Sequence, residues 1–269
     1  MSHERNRLLS AYSLLVYVFL FLPVAILVLF SFNDSKDNFA WTGFTLAWYP
    51  ILFANEDMLE ALGKTLQVAT VAVIASTLLG TLMGFGLARL RNRYAGGIAE
   101  TLIILPMVAP EIVMGLSLLL FFAQVFSARG SLAQISIAHI TFCLSYVAVV
   151  VRARAVSLDP HLEEAARDLG ASAVGAFRYV TLPLLMPAVA AGAMLSFALS
   201  FDDLIVTTFN AGPGSSTLPL YLYSRIKFGV TPEINAISTI IVAITSIAIL
   251  AAWRIGRRRA DGRVVSMAA

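Results

Sequence analysis

Charge is what this 269-residue chain has least of: only 13% of its residues are Asp, Glu, Lys or Arg. A soluble domain carries roughly 25%. Half that share, together with 59% hydrophobic residues, reads as an integral membrane protein. Cysteine is nearly absent too. Cys143 stands alone, which excludes an intrachain disulfide and a cysteine-based metal cluster. The three histidines, His3, His139 and His161, are far apart, which argues against a structural zinc site. Catalytic signatures are missing as well. There is no Walker-type glycine loop, so the chain is not expected to hydrolyse ATP, and no cofactor of its own is expected. Neither HExxH nor GxSxG occurs, and no serine, histidine and acid are placed as a triad.

Long apolar runs fill the space left by these absences. Six stretches reach the roughly 20 residues that a helix needs to cross a bilayer. They are approximately 9–31, 65–89, 98–124, 132–152, 183–207 and 234–254. Backbone groups in lipid must be satisfied within the segment, so the spans are helices and the fold class is all-α. The expectation is one polytopic domain over 1–269. MSHERNR resembles a signal-peptide start, but the apolar run Leu8 to Phe32 is too long for one and ends at no small-residue cleavage site. It is read as a retained transmembrane helix.

Orientation follows from the basic residues. With the N-terminus inside, fourteen of the 19 Lys and Arg fall on the inner side. They are Arg5, Arg7, Arg89, Arg91, Arg93, Arg152, Arg154, Arg167, Arg178, Arg254, Arg257, Arg258, Arg259 and Arg263. Lys36, Lys64, Arg129, Arg225 and Lys227 fall outside. The positive-inside rule then predicts both termini and the 158–183 segment in the cytoplasm.

Small residues recur every fourth position in the second span (Ala72, Ser76, Gly80, Gly84, Ala88) and in the fifth (Ala188, Gly192, Ser196, Ser200). Such stripes let helices approach closely, within the subunit or against a partner. In the third span Pro106 and Pro110 are expected to kink or break the helix. If Pro110 restarts a half-helix, Glu111 sits in its first turn, where the dipole favours an anion. Glu111 then either stabilises the break or faces a transport path. Of the aromatics in the outward segment 33–63, Trp41 is read as an interfacial anchor, and Trp48 and Tyr49 lie near the same span. In the second outward segment, Thr217 to Phe228 is expected to form a short outer helix bearing Tyr221 and Tyr223.

The strongest oddity is Asp202–Asp203 inside the run MLSFALSFDDLIVTTF. A carboxylate at the bilayer centre costs about 2.5–3.5 kcal/mol on insertion scales, so such residues are functional candidates by default. On a continuous helix Asp203 follows Ser200 by three and Ser196 by seven, beside the small-residue stripe. Asp202 follows Leu199 and Leu195, on a more apolar face. The spacing ranks Asp203 above Asp202 as the functional carboxylate; a structural cap or an arginine partner is the alternative. Spaced carboxylates near aromatic rings suit a ligand with two or more amines. No tight site is expected, because a pore must release what it binds.

The longest polar interruption on the inner side is Leu158 to Pro183, LDPHLEEAARDLGASAVGAFRYVTLP. Asp159 suits a helix cap, Pro160 the first helical position and Gly170 a left-handed C-terminal cap. Leu162, Ala165, Ala166 and Leu169 form an apolar stripe. Ser172 is placed to cap a second short helix running towards Pro183. Two small amphipathic helices between spans suit either docking into a partner's groove or a plain surface linker.

Glu164-Ala165-Ala166, Gly170 and Val180-Thr181-Leu182-Pro183 resemble the EAA loop of ABC-importer permeases, with Val180 where the family usually has Ile. The resemblance runs over nearly the whole chain to the second permease subunit of spermidine/putrescine importers. SFNDS (31–35), GFTLAWY (43–49), PEIVMGLSLLLFF (110–122), AHITFCLSYV (138–147), EEAARDLGAS (163–172), LPLLMPAVAAG (182–192), LSFDDLIVTTF (199–209) and GVTPEINAIST (229–239) carry it. It implies a type I importer permease in a bacterial cytoplasmic membrane. Its expected partners are a homologous second permease, two cytoplasmic ATPases that hold ATP and Mg, and an extracytoplasmic polyamine-binding protein. By the same resemblance Glu163, Glu164, Ala165, Ala166, Asp168, Gly170, Leu182 and Pro183 couple the ATPase to the pore. Trp48, Asp202 and Asp203 line the polyamine path, joined by Glu111, Tyr221 and Tyr223 as further candidates. The alternatives are a permease for another organic cation or amine-bearing solute, a proton-coupled carrier using Asp203, and an intramembrane enzyme or scaffold.

Overall fold

The computed structural model describes residues 2–35, 40–90, 92–126, 130–227, 229 and 231–267, with side chains at these positions except 2–8, 93, 248, 249, 251–253 and 255–267. Lys36, Asp37, Arg91, Arg129, Phe228 and Val230 lie outside the described residues. So do the side chains of His3, Arg5, Arg7, Arg93, Arg257, Arg258, Arg259 and Arg263. Among the described residues the secondary structure is helical. One isolated β-bridge, Asn33 to Phe44, is the exception.

Four helices are long and apolar enough to cross a membrane: Leu9–Phe30, Glu56–Ala88, Leu132–Val156 and Ala173–Phe201. They are α1 (Ser2–Phe30), α3 (Glu56–Ala88), α6 (Leu132–Val156) and the run through α8 (Ala173–Ala176) and α9 (Leu182–Phe201). The expected third span is not one rod. It is a pair, α4 (Arg93–Val108) and α5 (Glu111–Phe126), bent by 106° at a short break. Pro110 causes the break: it has no N–H to donate, and it drives Ala109 to φ −63°, ψ 135°, an extended conformation. Pro106 is tolerated inside α4. The expected fifth span also differs. It starts ten residues early, at Ala173, and ends at Phe201, so Asp202 and Asp203 lie in a break and not within a helix. After the break α10 (Ile205–Asn210) and α11 (Leu218–Ile226) follow. The last helix, α12 (Pro232–Met267), is apolar over Pro232–Ile247.

The chain forms two compact bodies, one of residues 1–57 and 222–269, the other of residues 58–221. In the first, α12 packs on α1 and on α2 (Trp48–Ala54). Asn33 organises the connection between α1 and α2. Its amide Nδ2 donates to the Ala40 carbonyl (2.7 Å) and its Oδ1 accepts from the Thr42 N–H (2.9 Å). The Trp48 indole N–H donates to the Asn33 carbonyl at 2.7 Å. Asn55 donates to Glu233 (3.2 Å), tying the end of α2 to the start of α12.

The second body is built around α6, the most buried of the long helices. Lipid gives no hydrophobic drive between helices, so contact depends on close approach through small residues. Both stripes serve α6. A Cβ at Gly80 would lie 2.7 Å from the Val147 Cβ, and one at Gly84 would strike the Ala148 carbonyl oxygen. Gly192 of α9 approaches the same Val147, and α3 and α9 meet where Ser76 donates to Ser196 at 3.4 Å. The stripes therefore pack helices within this subunit.

Gly84→Ala is expected to destabilise the protein by about 1–3 kcal/mol, because the obstacle is backbone that cannot rotate away. Gly86→Ala is the control, since a Cβ there meets nothing within 4 Å. Thermal unfolding of the two variants in detergent, compared with the parent, measures the difference.

Candidate functional site

The two helix breaks meet. Pro106, Met107, Ala109, Pro110 and Glu111 from the α4–α5 break, and Asp202 to Val206 from the α9–α10 break, line one cavity of about 550 Å³. Met114, Phe142, Tyr146 and Leu199 complete its wall. That size lies within the roughly 300–1,000 Å³ of small-ligand sites. Three acidic residues line a wall that is otherwise mostly apolar and aromatic. Such a cavity attracts a cation by charge and by ring faces. Among the described residues no three His, Cys, Asp or Glu side chains are grouped to hold a metal ion.

The elements around the cavity are held close. Gly115 on α5 lets Phe209 and Val206 of α10 approach, and Asn210 donates to the Gly115 carbonyl at 3.3 Å. Phe142 and Cys143 of α6 pack with Val206 beneath the cavity. Glu111 opens α5 in its first turn, as Pro110 leads one to expect, and its residue is exposed towards the cavity space.

The two aspartates have different surroundings. Asp203 is turned inward, its side chain 7% exposed. One oxygen accepts from the Val206 N–H (3.3 Å); the other accepts from the Thr207 N–H and the Thr207 hydroxyl, both at 2.8 Å. It thus caps the restarted chain of α10. His139 Nε2 stands 3.2 Å from the same oxygen. Asp202 ends α9 and is exposed at the cavity. The spacing argument placed Asp203 in a packed interior, and it lies there. Packing commits that carboxylate to the backbone, whereas Asp202 stands open at the cavity. His139 escaped the sequence reading. Its signal was present: an ionisable side chain inside an apolar span warrants attention regardless of metal spacing.

The remaining candidates lie elsewhere. Trp48 is buried in the first body, with its indole N–H committed to Asn33. Tyr223, half exposed, carries the Lys227 ammonium over its ring at 5.0 Å. Tyr221 is half-buried on α11.

The 158–183 segment forms a second site. α7 (His161–Asp168) is capped by Asp159, whose carboxylate accepts from the His161 N–H at 3.0 Å. Gly170 ends it at φ 89°, with the Ala171 N–H donating back to the Ala166 carbonyl. Ser172 caps the following turn through the Gly175 N–H (3.1 Å). The second short helix expected here is instead continuous with the span. A π-helical turn, Phe177–Thr181, leads directly into Leu182 and Pro183 of α9. Pro183 cannot donate to the preceding turn, and the wider turn takes up that mismatch.

Glu163 and Glu164 point to different tasks. The Glu163 carboxylate accepts from Arg89 at the end of α3 (2.6 Å) and from the Thr181 hydroxyl (3.0 Å). It clasps α7 to two other elements. Glu164 is exposed and bonds only along its own helix, to His161 at 2.8 Å, which raises the His161 pKa above its usual value. Leu169, Val174 and Tyr179 leave large apolar surface uncovered nearby, with Leu169 90% exposed. Exposed apolar surface of that kind is unusual outside lipid and interaction sites. Asp168 ends α7, and Ala165 and Ala166 sit on it without bulk.

Apolar helices of spanning length and two breaks that meet at an acidic cavity fit a membrane transport permease. The chain belongs to the family described as the inner membrane component of binding-protein-dependent transport systems, whose model matches residues 76–264. It is 41% identical over 257 residues to the putrescine transport system permease protein PotI of Escherichia coli (strain K12), covering 93% of this chain and 91% of that one. It is 40% identical over 247 residues to the spermidine/putrescine transport system permease protein PotC of the same strain, covering 92% and 93%. A bacterial ABC transporter involved in alginate import shares the fold, with a TM-score of 0.74 at 17% identity over 95% of this chain and 96% of that one. The protein is a multi-pass membrane protein.

Glu163→Ala is expected to leave the half-buried Arg89 guanidinium without its carboxylate and to cost about 1–3 kcal/mol. The measurement is thermal unfolding in detergent. Pairing it with Arg89→Met should recover much of the loss, since neither charge is then left alone.

Proposed function

We propose that this chain is the permease subunit of an ATP-driven importer of polyamines of the putrescine and spermidine type. It would form part of the path by alternating access in a bacterial cytoplasmic membrane. The observation that carries the proposal is the cavity of about 550 Å³ at the two breaks, lined by Glu111 and Asp202 and walled by Phe142 and Tyr146. A polyamine is a flexible apolar chain with a cation at each end, and this wall has the complementary make-up. The named relatives support the cargo.

The proposed topology has six spans with both termini in the cytoplasm. The bent α4–α5 pair is the third span and the apolar part of α12 is the sixth. The count of basic residues supports this orientation. The proposed partners are a homologous second permease, two cytoplasmic ATPases that bind ATP and Mg, and an extracytoplasmic binding protein. The family description and a neighbouring structure in complex with a periplasmic protein support that set. In this assembly α7, with Glu164, Leu169, Val174 and Tyr179 exposed, is the docking face for an ATPase, and Glu163 ties that face to the spans. A proton carrier built on Asp203 draws no support here, because that carboxylate caps α10.

The test is ATP hydrolysis and uptake by the co-purified complex in proteoliposomes, with diamines, triamines and unrelated amines. Stimulation by putrescine or spermidine is expected. Another amine that alone stimulates would reassign the cargo. Glu164→Lys is expected to abolish substrate-stimulated hydrolysis at unchanged membrane abundance. Normal stimulation in that complex would remove Glu164 from the coupling face.

A further inference from the structure

The mechanism outlined above does not use His139, although it is one of the most buried polar side chains, 1% exposed in the middle of α6. Its ring joins both sides of the α9–α10 break. Nδ1 lies 2.7 Å from the hydroxyl of Ser200, in the last turn of α9. Nε2 lies 3.0 Å from the hydroxyl of Thr207 on α10 and 3.2 Å from Asp203. Thr207 donates its hydroxyl proton to Asp203, so its oxygen is left to accept from the Nε2–H of His139. Nδ1 pairs with the Ser200 hydroxyl, and the ring is wedged by Phe142 with centroids 5.3 Å apart.

This network decides which aspartate meets the cargo. Asp203 is surrounded by three donors from residues 206 and 207 and by the imidazole, and it is almost closed to solvent. Its neighbour, one residue back on the same turn, is thereby held towards the cavity. We propose that His139 is a positioning residue for cargo binding: by bridging Ser200, Asp203 and Thr207 it sets the turn at 202–204 so that Asp202, and not Asp203, is the carboxylate presented to the cargo. This rests on the polyamine reading above. Loss of the bridge frees the turn to rotate. The expected consequence is weaker binding with turnover largely kept, since no group that contacts cargo has been removed.

The experiment is initial uptake of putrescine and spermidine by the complete complex in proteoliposomes, at matched membrane abundance, for the parent and four variants. Asp202→Asn is expected to raise KM by about tenfold or more, the loss of one charge-assisted contact. Asp203→Asn, whose amide oxygen still accepts from the helix N–H groups, should raise it less than Asp202→Asn does. His139→Leu should raise KM severalfold with the maximal rate changed much less. His139→Gln, which restores a donor near the Nε2 position, should recover most of that loss. A His139→Leu effect confined to protein abundance or maximal rate would overturn the proposal, as would no rescue by Gln. So would an Asp203→Asn defect equal to or larger than that of Asp202→Asn, a ranking readable even if neither His139 variant folds. A parent complex that moves neither amine would instead overturn the polyamine reading, and the proposal with it.

Discussion

A polypeptide in lipid cannot leave backbone donors and acceptors unpaired, and each departure from a straight helix in this protein is governed by that constraint. At the α9–α10 break the open N–H groups of Val206 and Thr207 are taken by Asp203. At the α4–α5 break the missing donor is proline's own, the Ala109 N–H still reaches the Leu105 carbonyl, and the Met114 N–H reaches the Pro110 carbonyl. At the foot of α9 the ladder widens into a π turn just ahead of Pro183. Irregular backbone at membrane depth is tolerated where it lines a polar cavity, and both breaks line the same one. The cavity is thus the space left when two interrupted helices are each made whole by local bonding.

The cavity keeps its shape because the frame around it is closely packed. α6 is approached closely by glycines of two helices, Gly80 and Gly84 from α3 and Gly192 from α9. Contacts with backbone atoms cannot adjust by changing a rotamer. They therefore fix helix separation more firmly than side-chain packing does. His139 projects from this helix, so whatever it bonds to is referenced to the most buried long helix of the body.

Composition was enough to read the helical class, and proline chemistry was enough to read the α4–α5 break with Glu111 opening the second arm. The caps at Asp159, Gly170 and Ser172 were legible for the same reason: each depends on a residue type whose local bonding is known. The roles of Asp202 and Asp203 were not. Helical periodicity assumes a continuous helix, and the two carboxylates interrupt the one they were placed on. What surrounds each carboxylate depends on where the helix breaks and on His139, 63 and 64 residues away in sequence, and no spacing rule reaches that far. The second helix of the 158–183 segment was misjudged because Pro183 was taken as an end. A π turn lets a helix run through such a position. Trp48 shows the same limit, since its bond to the Asn33 carbonyl depends on how the chain between α1 and α2 folds back.

The two sites share one helix. Thr181, gripped by Glu163 of α7, lies at the foot of α9, and Asp202 lies at its head. From 181 to 202 is 21 rises of an α-helix, about 32 Å. A helix of that length bends little unless proline or a bulge intervenes, and the π turn and Pro187 both lie in its lower part. Above them α9 continues to Phe201, and Asp202 follows as its cap. On the proposed reading, a displacement imposed on α7 by a partner is taken up at the flexible foot as a change of tilt. At the head it arrives as a shift of Asp202 against Glu111, which sits on the other broken helix. The distance between the two carboxylates then changes, and a cargo held by both loses its fit. Weak binding in one state and weaker binding in the other is what a permease needs in order to release what it has bound.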